Sequence, residues 1–490
     1  MKYDYAVIGG GVAGASTALI LARHGYSVAI IEKGERIAGL VRGFQRHGLQ
    51  FDTGFHYAGG LGEGECFDLL CRYLGIADRL EKEPLDAEAF DTIRCRRPDF
   101  EFRFACGPGR LQERLTDAFP QNRTAIAGYL QEIDRSCASF PFLNVDAGFS
   151  ATLDRGETLQ EVLDRLTDNR LLQGVLTAHT LLHGVPPRQA PFALHALVVG
   201  PYYQSAHKLK GGGKNLAEAY AAELSRYGID LYLGQGAAAI ELAPGGLPES
   251  VRMAGGRRIA CGGCVFTAHP RLLADLLPEG VFRPAYRKRL RGMAETPSAG
   301  LLFGGADTLP EPLAGGNLFL LEEPESAGSF ENEEPTGGPL YLTAASPAAG
   351  EGKGFLALAP FSPDFPEAWA QTTTGKRPGD YVEAKARMVQ KMICRITDFY
   401  PDFPARTRWS EGATALTLRD YGHTPTGSLY GVSHRAGQLG LHSPTRVPGL
   451  YLAGQALAAP GVMGAMTSAF LACAHIVGHE RIQKDLRACR

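Results

Sequence analysis

A glycine triad set between an apolar strand and a helix constrains this chain more than any other feature. Residues Tyr3 to Gly9 are short, apolar and rich in strand formers, and Gly9-x-Gly11-x-x-Gly14 follows at once. The helix it opens carries Ala15, Ala18, Leu19 and Ala22 at helical spacing until Gly25 stops it. A second apolar strand, Tyr26 to Glu32, ends on a carboxylate 18 residues beyond Gly14. Glycines so spaced permit a tight turn, close approach of backbone to a pyrophosphate and close helix packing, and the carboxylate stands where it can accept hydrogen bonds from ribose hydroxyls. Gly9, Gly11, Gly14 and Glu32 are therefore expected to hold the ADP half of a dinucleotide, with its phosphates at the helix N-terminus.

A chain of 490 residues exceeds what one hydrophobic core usually serves, so two joined domains are expected. Nucleotide-type elements occur at both ends. Gly449 to Gly454 reads as a buried strand closing on glycine, Gly464 to Val477 as a small-residue helix, and Gly211-Gly212-Gly213-Lys214-Asn215 opens a further helix. The fold class is thus α/β: a doubly wound, discontinuous Rossmann-type domain from residues 1–60, 205–275 and 416–490. A mixed-sheet and helical substrate domain from 61–204 and 276–415 is inserted into it. Helices are expected at Cys66 to Leu74, Gly109 to Phe119, Ala125 to Ser139, Leu159 to Leu176 and Tyr381 to Tyr400. Residues 304–355, rich in Gly, Pro and Glu, are expected to form long loops.

Hydrophobic residues at 44%, charged residues at 21% and a formal charge of −2 suit a soluble enzyme and give no electrostatic footprint for nucleic acid. The ten cysteines are scattered, which favours reduced thiols and a cytoplasmic setting. Cys261 and Cys264 form one CxxC pair, on a stretch that reads as a strand ending in a loop. No metal site is expected: no HExxH occurs, and His475 and His479 lack a third ligand. No GxSxG nucleophile turn occurs either. Val462 to Gly478 contains His475 and many small residues, and no transmembrane helix is read there.

The glycine triad alone does not separate FAD from NAD. Its extension, Glu32-Lys33-x-x-Arg36-x-x-Gly39, together with the late strand ending in Ala453-Gly454, resembles the two-part FAD fingerprint of the amine oxidase and phytoene desaturase superfamily. That resemblance implies FAD, with Lys33, Arg36, Gly39, Gly54, Gly454, Gln455, Gly464 and Ala465 joining the cofactor site. Four further stretches resemble retinol saturases and carotenoid isomerases: Phe51-Asp52-Thr53-Gly54-Phe55-His56-Tyr57, Gly211 to Leu216, Gly427-Ser428-Leu429-Tyr430-Gly431, and Gly449 to Ala465. Gln455 stands where many members carry Asp, so an amide replaces a charge beside phosphate. Ala415 departs from the pattern, which has Pro there.

The resemblance implies hydride exchange at the flavin on carbon–carbon double bonds of a polyene, isoprenoid or other lipid, by a saturase, desaturase or isomerase. The ending of the chain favours reduction. His56, Tyr57 and Tyr430 are the candidate proton donors at the reacting face, with His434 near them; from the residues alone, His56 reads equally as a hydrogen-bonded core histidine. Two other functions remain open: a flavin amine oxidase, which would present an aromatic cage to a cation, and a non-catalytic FAD-bound lipid-binding protein. The expected partners are a hydrophobic small molecule, an electron donor or acceptor that the sequence does not name, and a membrane surface touched peripherally without being spanned.

Overall fold

The structure, a computed structural model, describes residues 2–147, 156–330, 337–347, 352–361 and 367–490. Its first sheet grows from the strand before the glycine triad. Lys2–Ile8 lies between Val28–Ile31 and Arg258–Phe266, and Asp230–Tyr232 extends the far side, all parallel. Leu450–Leu452 adds in parallel to the last residues of Arg258–Phe266, and an antiparallel hairpin, Ala237–Leu242 and Pro248–Met253, pairs with its first residues. Strands from three remote parts of the chain thus end at one edge, where an open α/β sheet binds ligands.

Side chains alternate across this sheet as a period of two requires. Val7, Val28, Ile30 and Val265 face a core shared by the helices Val12–Arg23, Cys66–Leu74, Gly213–Arg226 and Gly461–Val477. Ala6, Ile8, Ala29, Ile31 and Phe266 face the opposite core, closed by Pro270–Leu276 and Pro284–Arg291. The helix Cys66–Leu74, placed by the sequence in the inserted domain, packs against the nucleotide sheet, because its Phe67, Leu70 and Leu74 join that first core.

A second, mostly antiparallel sheet runs in the order Thr407–Ala413, Ser298–Ala306, Lys353–Phe361, Leu340–Pro347, Asn317–Leu321, Asp91–Cys95, Phe100–Phe104. Phe319, Leu321 and Tyr341 point to the helical cap. Leu318, Leu320, Leu340 and Leu342 point to the helix Gly379–Phe399. Leu49–Phe51, expected within the nucleotide domain, pairs with the end of Leu340–Pro347 instead, and Phe44–Arg46 pairs with Leu49–Phe51. A small sheet of Ala58–Gly59, Ala206–Leu209 and Lys82–Pro84 joins the two halves.

Two further expectations are corrected. The segment Leu159 to Leu176 is two helices, Leu159–Leu166 and Arg170–Thr177, because the Asn169 side chain accepts from the backbone N–H groups of Leu171 and Leu172 and caps a new start. Of residues 304–355, 331–336 and 348–351 lie outside the described residues, and the described ones are not mainly loop. Their Gly, Pro and Glu residues punctuate apolar runs, and those runs, Asn317–Leu321 and Leu340–Pro347, are central strands. Among the described residues no helix is long and apolar enough to cross a membrane, and no cluster of His, Cys, Asp and Glu could hold a metal ion.

Candidate active site

The glycine turn follows the strand Lys2–Ile8 because Gly9 takes φ +109°, a region that a side chain disfavours. Its N–H donates to Ile31 O at 2.9 Å, and Thr267 Oγ1 donates to the carbonyls of Ile8 and Gly9, each at 3.1 Å. A Cβ at Gly14 would overlap the Gly9 carbonyl oxygen, whereas a Cβ at Gly11 would meet no protein atom within 4 Å. The turn is therefore closed behind and open in front, at the start of the helix Val12–Arg23. That open space, with unpaired N–H groups at its rim, fits a pyrophosphate.

Glu32 is half-buried beside it and already braces the turn. Its Oε2 accepts from Gly10 N–H at 2.5 Å and its Oε1 from Gly34 N–H at 2.6 Å. Each oxygen keeps a second lone pair for a ribose hydroxyl. Lys33, Arg36 and Gly39 are exposed on the following loop, which folds back so that Ala38 N–H donates to Gly10 O at 2.6 Å. Gly54 abuts that loop, since a Cβ there would come 3.1 Å from the Leu40 carbonyl oxygen.

The C-terminal segment arrives from the other side. Gly454, at φ +117°, follows Leu450–Leu452, and its N–H donates to Ser468 Oγ at 2.6 Å. Gln455 is half-buried; its carbonyl lies 2.7 Å from His434 Nε2. Gly464 lies in the first turn of Gly461–Val477, where a Cβ would overlap the Ala459 carbonyl oxygen, and Ala465 O accepts from Ser468 Oγ at 2.6 Å. The two glycine segments that the sequence singled out at opposite ends of the chain thus meet around Thr267, whose carbonyl lies 3.2 Å from where a Gly454 Cβ would sit.

Beyond the cradle, where the second sheet approaches, His56, Tyr57 and Tyr430 gather with residues that the sequence did not single out. Tyr57 is buried, stacks on Tyr341 with ring centroids 6.3 Å apart, and meets Tyr202 edge-on at 4.9 Å. Its hydroxyl donates to Asp91 Oδ2 at 2.7 Å, and burial, reinforced by the Asp91 carboxylate, pushes the phenol well above its ordinary range. Asp91 is itself wholly buried: Asn317 Nδ2 donates to its Oδ1 at 2.9 Å and His179 Nε2 lies 2.9 Å from its Oδ2. Tyr57 thus stands in the wall of the site with its proton held by Asp91. Tyr430 keeps some accessible surface, but its hydroxyl donates to Leu181 O at 3.2 Å and burial raises its pKa.

His56 lies 5.8 Å from the Tyr341 ring, and burial, assisted by the Lys208 cation, lowers its pKa to about 4. It is neutral at pH 7. Lys208 donates to Thr343 Oγ1 at 3.0 Å; burial draws it down to about 8 against the pull of Asp52, Asp91 and Glu83. Asp52 accepts from Gly213 N–H at 2.8 Å, at the start of the helix Gly213–Arg226, and burial pushes its carboxyl up to about 6. His56, Lys208, Tyr202 and Tyr430 all lie deep in the molecule yet retain accessible surface, from which we infer a hollow between them. Asp52 belonged to a motif that the sequence analysis had already quoted. Lys208 carried no local signal, being one of three lysines between Lys208 and Lys214.

An open dinucleotide cradle on a parallel sheet, faced by a second sheet and a tyrosine-walled hollow, defines a two-domain flavin-dependent oxidoreductase. The comparison with known proteins gives the particular family: the chain belongs to the flavin containing amine oxidoreductases, whose family pattern matches residues 12–477. Its cofactor is FAD. The chain is 26% identical to an all-trans-retinol 13,14-reductase of Danio rerio, over 97% of this chain and 86% of that one. It is 24% identical to a hydroxyneurosporene desaturase of Rubrivivax gelatinosus, over 96% and 93% respectively. A solved putrescine oxidase bound to putrescine shares the fold with a TM-score of 0.65 at 15% identity, over 98% of this chain and 100% of that one.

Proposed function

We propose that this enzyme adds hydrogen across a carbon–carbon double bond of a hydrophobic polyene, isoprenoid or related lipid, as a saturase, with the desaturase direction sharing the same site. The observation that carries the reading is the hollow beside the cradle, where aromatic rings make the walls and each of Tyr57, Tyr202 and Tyr430 gives its phenolic proton to an internal acceptor. Such walls match a long apolar substrate, and with their protons so committed they offer little competing acid–base chemistry. The likeness, along nearly the whole of this chain, to an all-trans-retinol 13,14-reductase and a hydroxyneurosporene desaturase supports the same substrate class.

Bound FAD supplies the two-electron hydride chemistry. The chain's own part is to fix the alkene against the cofactor, to keep water out and to hold the proton that completes the saturation. Aromatic rings could equally cage an amine, but Lys208, cationic near neutrality, would repel an ammonium substrate. Gly9, Gly11, Gly14, Glu32, Gly39, Gly54, Gly454, Gln455, Gly464 and Ala465 are the proposed cofactor contacts, with Lys33 and Arg36 reaching in from the exposed loop. Peripheral contact with a lipid surface is part of the same reading, since an apolar substrate is delivered from one. Exposed Val382 and Tyr421, on Gly379–Phe399 and Ala415–Gly422, are the apolar points proposed for it; Arg377, just before the first helix, pairs with Asp420 of the second.

The test is anaerobic. Holoenzyme with reduced flavin is mixed with all-trans-retinol, with a carotene and, as a control, with putrescine. Return of oxidised-flavin absorbance with the polyenes and none with the amine is expected; oxidised holoenzyme bleached by putrescine would overturn the reading.

A further inference from the structure

Lys208 is the one cation among the groups that gather at the hollow, and its surroundings leave it underused. It sits on Ala206–Leu209, which pairs with Ala58–Gly59 immediately after His56 and Tyr57, and with Lys82–Pro84 on the other side. Thr343 Oγ1, on the buried strand of the second sheet, is its one hydrogen-bond partner among the described residues. An ammonium has three N–H bonds, so two of them have no acceptor among the described residues. Lys210, two residues on, is by contrast exposed and paired with Glu81 at 3.1 Å. A cation kept deep in the fold with free donors, next to a hollow, is aimed at something that enters the hollow.

We propose that Lys208 is the proton donor of this enzyme: its ammonium delivers the proton to one carbon of the double bond as the neighbouring carbon receives hydride. The inference rests on the reading above, that an alkene is reduced. In the step the Lys208 N–H bond, the N–H bond from which the reduced flavin would release hydride and the π bond of the alkene break, and two C–H bonds form. The C=C bond becomes a CH–CH bond, two electrons leave the reduced flavin, and Lys208 remains as a neutral amine that regains a proton from water. The groups that face it are Asp52 and His56 from the segment after Leu49–Phe51, Asp91 from the second sheet and Glu83 from the small sheet. The carboxylates keep the ammonium charged, while burial brings it down to about 8, close to the working pH that suits a general acid. The nearby alternatives serve less well: His56 carries no proton to release at neutral pH, and the phenols of Tyr57 and Tyr430 are committed and raised.

The experiment compares wild type, Lys208→Met and Lys208→Arg as FAD-loaded enzymes. Reduced anaerobically with dithionite, each is mixed with all-trans-retinol across pH 6 to 10. Wild type should reoxidise at a rate that is flat below about pH 8 and falls above it. Both variants should be on the order of 100-fold slower with no such limb, while retaining FAD. Independently of turnover, reductive 13C-methylation should give one lysine resonance titrating near 8, apart from surface lysines near ~10.4, and absent from Lys208→Arg. The assignment is overturned if Lys208→Met reoxidises as fast as wild type with the same pH limb, or if the Lys208 resonance titrates with the surface lysines. If wild type itself is not reoxidised by retinol, carotene or a fatty-acyl alkene, the alkene reading falls and takes the assignment with it.

Discussion

At the scale of single residues, the cradle separates glycines that the fold needs from those proposed to serve the cofactor. Gly14→Ala sets a methyl against the Gly9 carbonyl oxygen, so it should lower both thermal stability and FAD affinity. Gly11→Ala has no protein atom to strike and sits at φ −72°, which alanine accepts. It should cost about 1 kcal/mol or less in stability, yet weaken FAD more than tenfold; thermal melts of apoenzyme and a fluorescence titration with FAD separate the two effects. Glu32 does more than the sequence assigned to it, since both its oxygens already hold backbone N–H groups. Glu32→Ala should reduce FAD affinity by about 1 to 3 kcal/mol, and Glu32→Gln by less, because the amide keeps one acceptor. Equal losses in the same titration would remove the bracing role.

At the scale of elements, Asp91 ties three pieces together: Tyr57 from the flavin-side segment, Asn317 from the second sheet and His179 from the cap. Asp91→Ala leaves these polar groups buried without their acceptor and should destabilise the protein by about 3 to 5 kcal/mol, read in a denaturant melt. The departure at Ala415 has an element-level explanation. Thr414 caps the helix Ala415–Gly422 in a capping box, at φ −127° and ψ 177°, so Ala415 is its first residue, a place where Pro is well tolerated after an extended neighbour. Ala415→Pro should therefore leave stability unchanged or raised by less than about 1 kcal/mol, with Tm unchanged or slightly higher; a large fall in Tm would show that the position needs its N–H. The break at Asn169 was legible in principle, since Asn followed by an apolar run is a helix start. Continuous apolar periodicity on both sides hid it.

At the scale of the whole molecule, buried histidines set the response to acid. His56 is held near 4, His183 near 3 and His195 well below its ordinary value, each chiefly by burial. The unfolded chain takes up these protons near ~6.5, so stability is fully present above that pH and is lost as pH falls toward 4. Asp52, raised to about 6, opposes this with one proton bound more tightly when folded, so that of these four groups the unfolded state holds a net excess of two protons. Tm should fall steadily from pH 6.5 to 4, and a Tm that rises over that range would contradict the burial of these rings. The sequence by itself determined the nucleotide cradle, because Gly9, Gly11, Gly14 and Glu32 lie within one βαβ unit, where local spacing fixes geometry. It also carried the late Ala453-Gly454 strand and most helices, through periodicity. What only the tertiary structure decided is which side chains share the hollow. Lys208, Asp52, Asp91 and Thr343 are far apart in the chain, and their joint burial, which shifts Lys208 and Asp52 and commits Tyr57, is a property of two sheets meeting that no local window of sequence contains.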